Sequence, residues 1–189
     1  MAVISRKSKF LFIHIAKNGG TSVEVFLKGY SDIPPEGTDR HSSAAVFRAI
    51  MPDYEDYLSF AIIRDPRDRF QSSYSEVKMA RLRSPEMFDP DWGRAVDECQ
   101  DVESFVLKRL FLPPAPASLF APQLTFVSED GVIIVKHLIW IEEMSTEVPR
   151  ILGLSGVVGH DNRSGRVPVT FGPEASLVIE EYDSLSAVT

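Results

Sequence analysis

Short apolar runs alternate with segments of helical character along most of the chain. Phe10–Ile15 and Leu58–Ile63 are short, apolar and rich in residues that favour strands, which predicts two buried strands. Val132–Ile141 is predicted to be mostly a third strand. Strands that alternate with helices favour a parallel sheet. The pattern therefore predicts an α/β fold with a central, mostly parallel sheet flanked by helices.

Particular residues mark the helix starts. Thr21 and Glu24 have the spacing of a capping box, in which two side chains pair with free N–H groups of the first helical turn. Asp65 is a favoured N-cap, and Pro66 suits the first helical position. Helices are predicted over 21–28, over a short segment ending near 51–52, and over 66–82, 102–111, 142–152 and 173–185. Residues 83–101 are predicted to be irregular, and 153–169 to form a loop.

Composition narrows the class of protein. The 189 residues are 44% apolar and 25% charged, which is typical of a globular protein and predicts a single domain over residues 1–189. The net charge of −7 argues against a nucleic-acid partner. Cys99 is the single cysteine, which excludes an intramolecular disulfide. No run approaches the ~20 apolar residues of a membrane span, and Phe10–Ile15 is too short for a signal peptide, so a cytoplasmic protein is predicted.

The first chemical motif is Lys17–Ser22, with the sequence Lys-Asn-Gly-Gly-Thr-Ser. Its two glycines lie between a predicted strand and a predicted helix, where they permit positive φ and close backbone approach. The N–H groups of a helix start, together with the Lys17 ammonium, form a natural phosphate cradle. The lysine precedes the glycines, unlike in a Walker A loop. A left-handed turn before a capped helix, with a surface lysine, is the alternative interpretation.

The second motif is Arg64–Ser72, which directly follows the second predicted strand. A guanidinium suits a phosphate because its fork pairs with two oxygens at once. Arg64 extends an apolar run and is the candidate for such a contact. The alternative is a charged helix turn in which Asp65 and Asp68 pair with Arg67 and Arg69 in solvent, and this alternative is expected to hold for Arg67. In parallel sheets, ligands bind outside the carboxyl ends of the strands, so both motifs are predicted at one edge.

At these two motifs the chain resembles the sulfotransferases, and it is most similar to the group that includes the carbohydrate sulfotransferases. Ile13–Ser22 resembles their loop for the 5′-phosphosulfate, and Ala61–Tyr74 resembles their segment for the 3′-phosphate. The family pairs an arginine with a serine eight residues further on, and Arg64 and Ser72 keep that spacing. The resemblance implies a P-loop-like, three-layer α/β fold.

The resemblance also implies a donor, 3′-phosphoadenosine 5′-phosphosulfate, with 3′,5′-ADP as product, no metal, and a carbohydrate or small-metabolite hydroxyl as acceptor. Lys17 and His41 are the implied catalytic residues, with Glu24 as a competing base. The implied donor-binding residues are Lys17, Asn18, Gly19, Gly20, Thr21, Ser22, Arg64, Ser72 and Arg163. Asn18 stands where the family commonly has threonine, and Gln123 lies where a glutamine often follows.

Two other functions stay open at this point. A P-loop kinase of small molecules would bind ATP with magnesium, although the order of Lys17 and the glycines speaks against it. A nucleotide-binding module without catalysis would bind 3′,5′-ADP and transfer nothing. The oligomeric state has no signal in the sequence.

Overall fold

The computed structural model describes residues 2–84, 90–109, 117–159 and 169–183. Contacts divide the chain into two compact units. The first comprises Met1–Arg64 and Gln123–Gly165, and the second Asp65–Pro122 and Arg166–Thr189. The single domain over residues 1–189 stays a prediction. Among the described helices, none is both long and apolar enough to cross a membrane.

In chain order, the elements are β1 Val3–Ser5, β2 Phe10–Ile13, α1 Gly20–Leu27, α2 Ala44–Ile50, a 3-10 helix Tyr54–Asp56, β3 Leu58–Ile63, α3 Pro66–Arg83, α4 Pro90–Glu98, α5 Val102–Arg109, α6 Ala117–Phe120, α7 Leu124–Val127, β4 Ser128–Glu129, β5 Val132–Ile133, β6 His137–Trp140, α8 Met144–Leu152 and α9 Pro173–Tyr182.

The first unit contains a four-stranded sheet in the order β1-β2-β3-β6. β2 pairs with β3, and β3 with β6, in parallel, while the short edge strand β1 is antiparallel to β2. The mostly parallel sheet is thus confirmed. The prediction of one strand over 132–141 is wrong in part, because β5 pairs with β4 in a separate sheet and only β6 joins the main one. Both halves of that segment are apolar, so the pattern did not show the break.

Helices cover the central sheet because its strands are apolar on both faces. On one face, strand residues pack with α1 and α8 in a cluster that includes Phe12, Phe60, Ile139, Val23, Leu27 and Val148. Strand residues of opposite orientation, such as Leu11, Ile13 and Ala61, are also fully buried. Strands buried on both faces are typical of parallel sheets in α/β proteins.

The second unit is helical in its described residues. Its core joins α3, α4, α5, α6 and α9 through Phe70, Tyr74, Val96, Cys99, Phe105, Phe120 and Ile179. The prediction of an irregular segment over 83–101 is wrong, because α4 occupies part of it. Pro90 is the first residue of α4, a position that proline tolerates, and Val96 and Cys99 are buried in the core. Cys99 is a free, buried thiol.

The two predicted helix starts have different outcomes. Asp65 caps α3 as predicted, since its carboxylate accepts hydrogen bonds from the N–H groups of Arg67 and Asp68. The capping box at Thr21 and Glu24 is wrong, because the N-cap of α1 is Gly19, which has no side chain to cap with. A contact distant in sequence explains the difference: Arg40 binds both Thr21 and Glu24.

Candidate active site

The loop between β2 and α1 lies at the carboxyl edge of the sheet. Lys17 and Gly19 both have left-handed backbone conformations, with φ of 67° and 77°. Such a conformation costs a non-glycine residue about 1–3 kcal/mol, so surrounding contacts must hold Lys17 in place. Sparsely populated backbone conformations cluster at functional sites, and Lys17 is the residue that the sequence predicts to be catalytic.

The two glycines of the loop are required for different reasons. Gly19 supplies the positive φ that turns the chain into α1. Gly20 leaves room for the ring of His14, because a Cβ at position 20 would lie 2.3 Å from His14 Nε2. The first N–H groups of a helix have no intrahelical partner, and here no capping side chain stands at Gly19. This helix start can therefore receive an anion.

His14 lies under the loop as a neutral ring. It is 4% exposed, and burial lowers its pKa to about 4 although the neighbouring Glu24 opposes that shift. Its Nδ1 is 2.7 Å from Glu24 Oε1, so Nδ1 carries the proton and donates to the carboxylate.

Glu24 is held by a bidentate contact with Arg40. Arg40 Nε donates to Glu24 Oε1 at 2.9 Å, and Nη2 donates to Oε2 at 2.7 Å. Burial raises the pKa of Glu24, but the hydrogen bonds from Arg40 and His14 outweigh that effect and hold it below its usual range. Both carboxylate oxygens accept hydrogen bonds, which makes Glu24 a poor proton acceptor. Arg40 was not predicted; its only sequence signal is that it precedes His41.

His41 lies beside His14 with its ring oriented by the backbone. Its Nδ1 is 3.0 Å from the carbonyl oxygen of His14, and the two rings meet edge to face with centroids 4.8 Å apart. A carbonyl only accepts, so Nδ1 of the neutral ring carries the proton and Nε2 is the basic nitrogen. The ring of His41 is therefore fixed in a tautomer that can take up a proton at Nε2.

Arg64 brings the second motif to the first. Its Nη1 donates to the carbonyl oxygen of Lys17 at 3.2 Å, so the guanidinium lies against the loop. Asn18, which is 1% exposed, donates through Nδ2 to the carbonyl of Ile62 on β3 at 2.8 Å. The amide of Ser22 donates to the carbonyl of Gly19 at 3.0 Å. Within the first unit, Arg64 thus contacts the loop, while His41 contacts His14, whose ring lies against Gly20 of the loop.

Ser72 is 4% exposed on α3 of the second unit, and Arg163 lies outside the described residues. Arg67 pairs with Glu180 at the surface. The alternative of a solvent pair does not hold for Arg69, which is 1% exposed and faces the buried Asp183, because α3 turns this side chain into the core.

These features define an α/β protein with a glycine-containing loop, an uncapped helix start and a cationic side chain at one edge of a parallel sheet. A family model described as the sulfotransferase family matches residues 1–104, just over half of the chain, and includes both motifs. The chain therefore belongs to the sulfotransferase family, which implies a P-loop-like fold and supports sulfuryl transfer as its activity. Comparisons with curated proteins and with solved structures found no match.

Among the residues that the structure describes, no group of three or more histidine, cysteine, aspartate or glutamate side chains could hold a metal ion.

Proposed function

We propose that this protein transfers a sulfuryl group from 3′-phosphoadenosine 5′-phosphosulfate to a hydroxyl group of a carbohydrate or small metabolite. The observation that carries the proposal is the contact between Arg64 Nη1 and the Lys17 carbonyl, 3.2 Å long, beside the start of α1. This contact holds a guanidinium next to the Lys17–Ser22 loop, whose helix start can receive an anion. Two such elements side by side suit a ligand with phosphate groups at two positions.

The residues present fit such a donor. The start of α1 and the hydroxyls of Thr21 and Ser22 would hold the 5′-phosphate. The hydroxyl oxygen of Thr21 accepts a hydrogen bond from Arg40 Nη2 at 2.9 Å, which leaves its own proton to be donated to a phosphate oxygen. Arg64 would hold the 3′-phosphate. The resemblance assigns Ser72 and Arg163 to donor binding as well, and both assignments stay predictions.

When bound, the donor supplies a sulfuryl group whose bond to the bridging oxygen breaks as the acceptor oxygen binds the sulfur, with the electron pair left on the departing phosphate. Lys17 stabilises the negative charge that grows on that oxygen. His41 takes the proton of the acceptor hydroxyl at Nε2, the nitrogen left basic by the contact of Nδ1 with the His14 carbonyl. The hydrogen bonds to both oxygens of Glu24 favour His41 as the base.

Ligand-dependent stability tests the donor site. We expect 3′,5′-ADP to raise the melting temperature far more than 5′-ADP or ATP with magnesium does, because only the first carries a 3′-phosphate for Arg64. A ligand at 100 times its Kd stabilises the folded state by about 2.7 kcal/mol. Arg64→Ala should abolish the preference for 3′,5′-ADP. Lys17→Ala should weaken the binding of both 3′,5′-ADP and 5′-ADP.

The matched control is Arg150→Ala, which removes the same charge from an exposed side chain paired with Glu147 in its own helix. It should leave the shift with 3′,5′-ADP unchanged. A larger shift with ATP and magnesium would contradict the proposal and favour the kinase. Tight binding of 3′,5′-ADP without transfer to any acceptor in a broad panel would favour the module that lacks catalysis.

A further inference from the structure

A buried amide connects the two parts of the candidate donor site. Gln123, which is 1% exposed, directly precedes α7 and lies beyond the residues matched by the family model. Its Oε1 accepts hydrogen bonds from Asn18 Nδ2 at 2.6 Å and from the backbone N–H of Arg64 at 3.0 Å. Its Nε2 donates to the carbonyl oxygen of Arg64 at 2.9 Å. One side chain therefore binds both the Lys17–Ser22 loop and the end of β3.

The contact with Arg64 has the form of a strand pairing. The amide of Gln123 meets both the N–H and the C=O of one residue, as a neighbouring strand would, at the point where the chain leaves β3. Fixing both backbone groups fixes the direction in which the side chain of Arg64 leaves the sheet. That side chain then reaches the carbonyl of Lys17.

The position of Asn18 is fixed by the same amide. Asn18 Nδ2 divides its two hydrogens between Gln123 Oε1 and the carbonyl of Ile62. A buried polar network of this kind is costly to disturb, because each group that loses its partner stays unsatisfied in a low dielectric. A substitution at Gln123 therefore removes hydrogen bonds to the loop and to the end of β3 at the same time.

We propose that Gln123 is a positioning residue that sets the guanidinium of Arg64 relative to the Lys17 loop, and so sets the selectivity for a 3′-phosphate. This inference rests on the proposed function. A bidentate guanidinium contact depends on orientation, and displacements near 1 Å are enough to weaken it. Gln123 acts through the backbone of Arg64, so its effect falls on the part of the ligand that Arg64 binds.

The test uses Gln123→Glu, which keeps the size of the side chain and replaces the Nε2 donor by an oxygen facing the Arg64 carbonyl. The measurement is the ratio of the Kd for 5′-ADP to the Kd for 3′,5′-ADP, by calorimetric titration of the full chain. We expect this ratio to fall by about tenfold relative to wild type, the size expected from the loss of one charge-assisted contact. A purely structural role would lower the melting temperature and leave the ratio unchanged, which would overturn the inference.

Two further variants keep the test decisive. Ser128→Ala is the matched control, because Ser128 lies close by in the chain and its hydroxyl donates only locally, to the carbonyl of Leu124; its ratio should equal that of wild type. If Gln123→Glu does not fold, Asn18→Ala removes one donor to Gln123 and should lower the ratio in the same direction. An unchanged ratio in Asn18→Ala would then overturn the inference. A wild-type chain with no preference for 3′,5′-ADP would instead contradict the proposed function itself, and the inference with it.

Discussion

The two units bury ionisable side chains in opposite ways. In the first unit, the ring of His14 is buried and neutral at pH 7, since burial lowers its pKa to about 4. In the second unit, Arg69 and Asp183 face each other at 1% and 0% exposure. Burial lowers the pKa of Arg69 to about 10, with Asp183 acting in the opposite direction, so the guanidinium stays charged at neutral pH.

This difference separates charges that reach solvent from charges that are enclosed in the core. Around His14, the charged side chains of Glu24 and Arg40 remain 20% and 40% exposed. Arg64 is also partly exposed, whereas Arg69, five residues further along, is enclosed. A charge that reaches solvent can meet an anionic ligand, but a fully buried pair serves the fold, often with little net gain in stability. Arginines that are close in sequence therefore lie in different environments.

The largest effect is expected in the second unit. Asp183→Ala leaves the buried guanidinium of Arg69 without its carboxylate, and such a change costs about 3–5 kcal/mol of the free energy of unfolding. Urea denaturation measures this loss. Glu180→Ala is the control, because it breaks the partly exposed pair with Arg67 and should cost less than about 1 kcal/mol.

Adding Arg69→Met to Asp183→Ala should recover part of the loss, because no unpaired charge then remains in the core. Equal costs for Asp183→Ala and Glu180→Ala would mean that burial does not distinguish these pairs, and the comparison of the two units would fail.

A smaller effect is expected from the protonation of His14. The pKa of His14 is about 4 in the folded state, against about 6.5 for an exposed histidine, so the unfolded chain takes up a proton first as the pH falls. The contribution of the neutral His14 ring to the free energy of unfolding is fully present above pH 6.5. It is lost progressively between pH 6.5 and 4, and the loss reaches about 3 kcal/mol. Glu24, whose pKa is lowered, acts in the same direction at still lower pH.

The measurement is the free energy of unfolding from pH 7 to pH 4 for wild type and for His14→Gln. The variant should lose less stability over this range, since glutamine takes up no proton. His137→Gln changes an exposed histidine on β6 and should follow the wild-type curve. Parallel curves for wild type and His14→Gln would show that the ring is not held neutral.

Local sequence signals predicted the elements whose contacts are close in sequence. The strand Leu58–Ile63 has the predicted bounds because Arg64, Asp65 and Pro66 end the apolar run and begin α3 at once. The parallel sheet and the place of the Lys17 loop followed from the order of these elements. The short edge strand β1 was missed, since three residues are too few to show a period.

Contacts distant in sequence were not predictable in the same way. Glu24 has the spacing of a capping box, yet Arg40 and His14 bind its carboxylate in the folded chain. Nothing local to Gln123 shows that it meets Asn18 and Arg64. The sequence therefore predicted that Lys17 and Arg64 lie at the same edge of the sheet, while the hydrogen bonds that orient their neighbours depend on the tertiary structure.

The smallest effect is expected from Glu24→Gln. Glutamine keeps an oxygen that accepts from His14 Nδ1 and loses the charge that pairs with Arg40, a contact that is partly exposed. We expect kcat, measured as the rate of 3′,5′-ADP formation, to fall less than about tenfold, since such pairs contribute about 1 kcal/mol or less. His41→Ala, which removes the proposed base, should lower kcat by about 100- to 10,000-fold.

The pH profile distinguishes orientation from proton transfer. If His41 is the base, Glu24→Gln keeps the acidic limb of kcat, because the basic Nε2 is still present, and His41→Ala loses it. If Glu24 is the base, the two variants exchange these outcomes: Glu24→Gln is nearly inactive, and His41→Ala retains most of its rate. The bidentate contact between Arg40 and Glu24 leads us to expect the first result, because a carboxylate already bound at both oxygens has little affinity for the acceptor's proton.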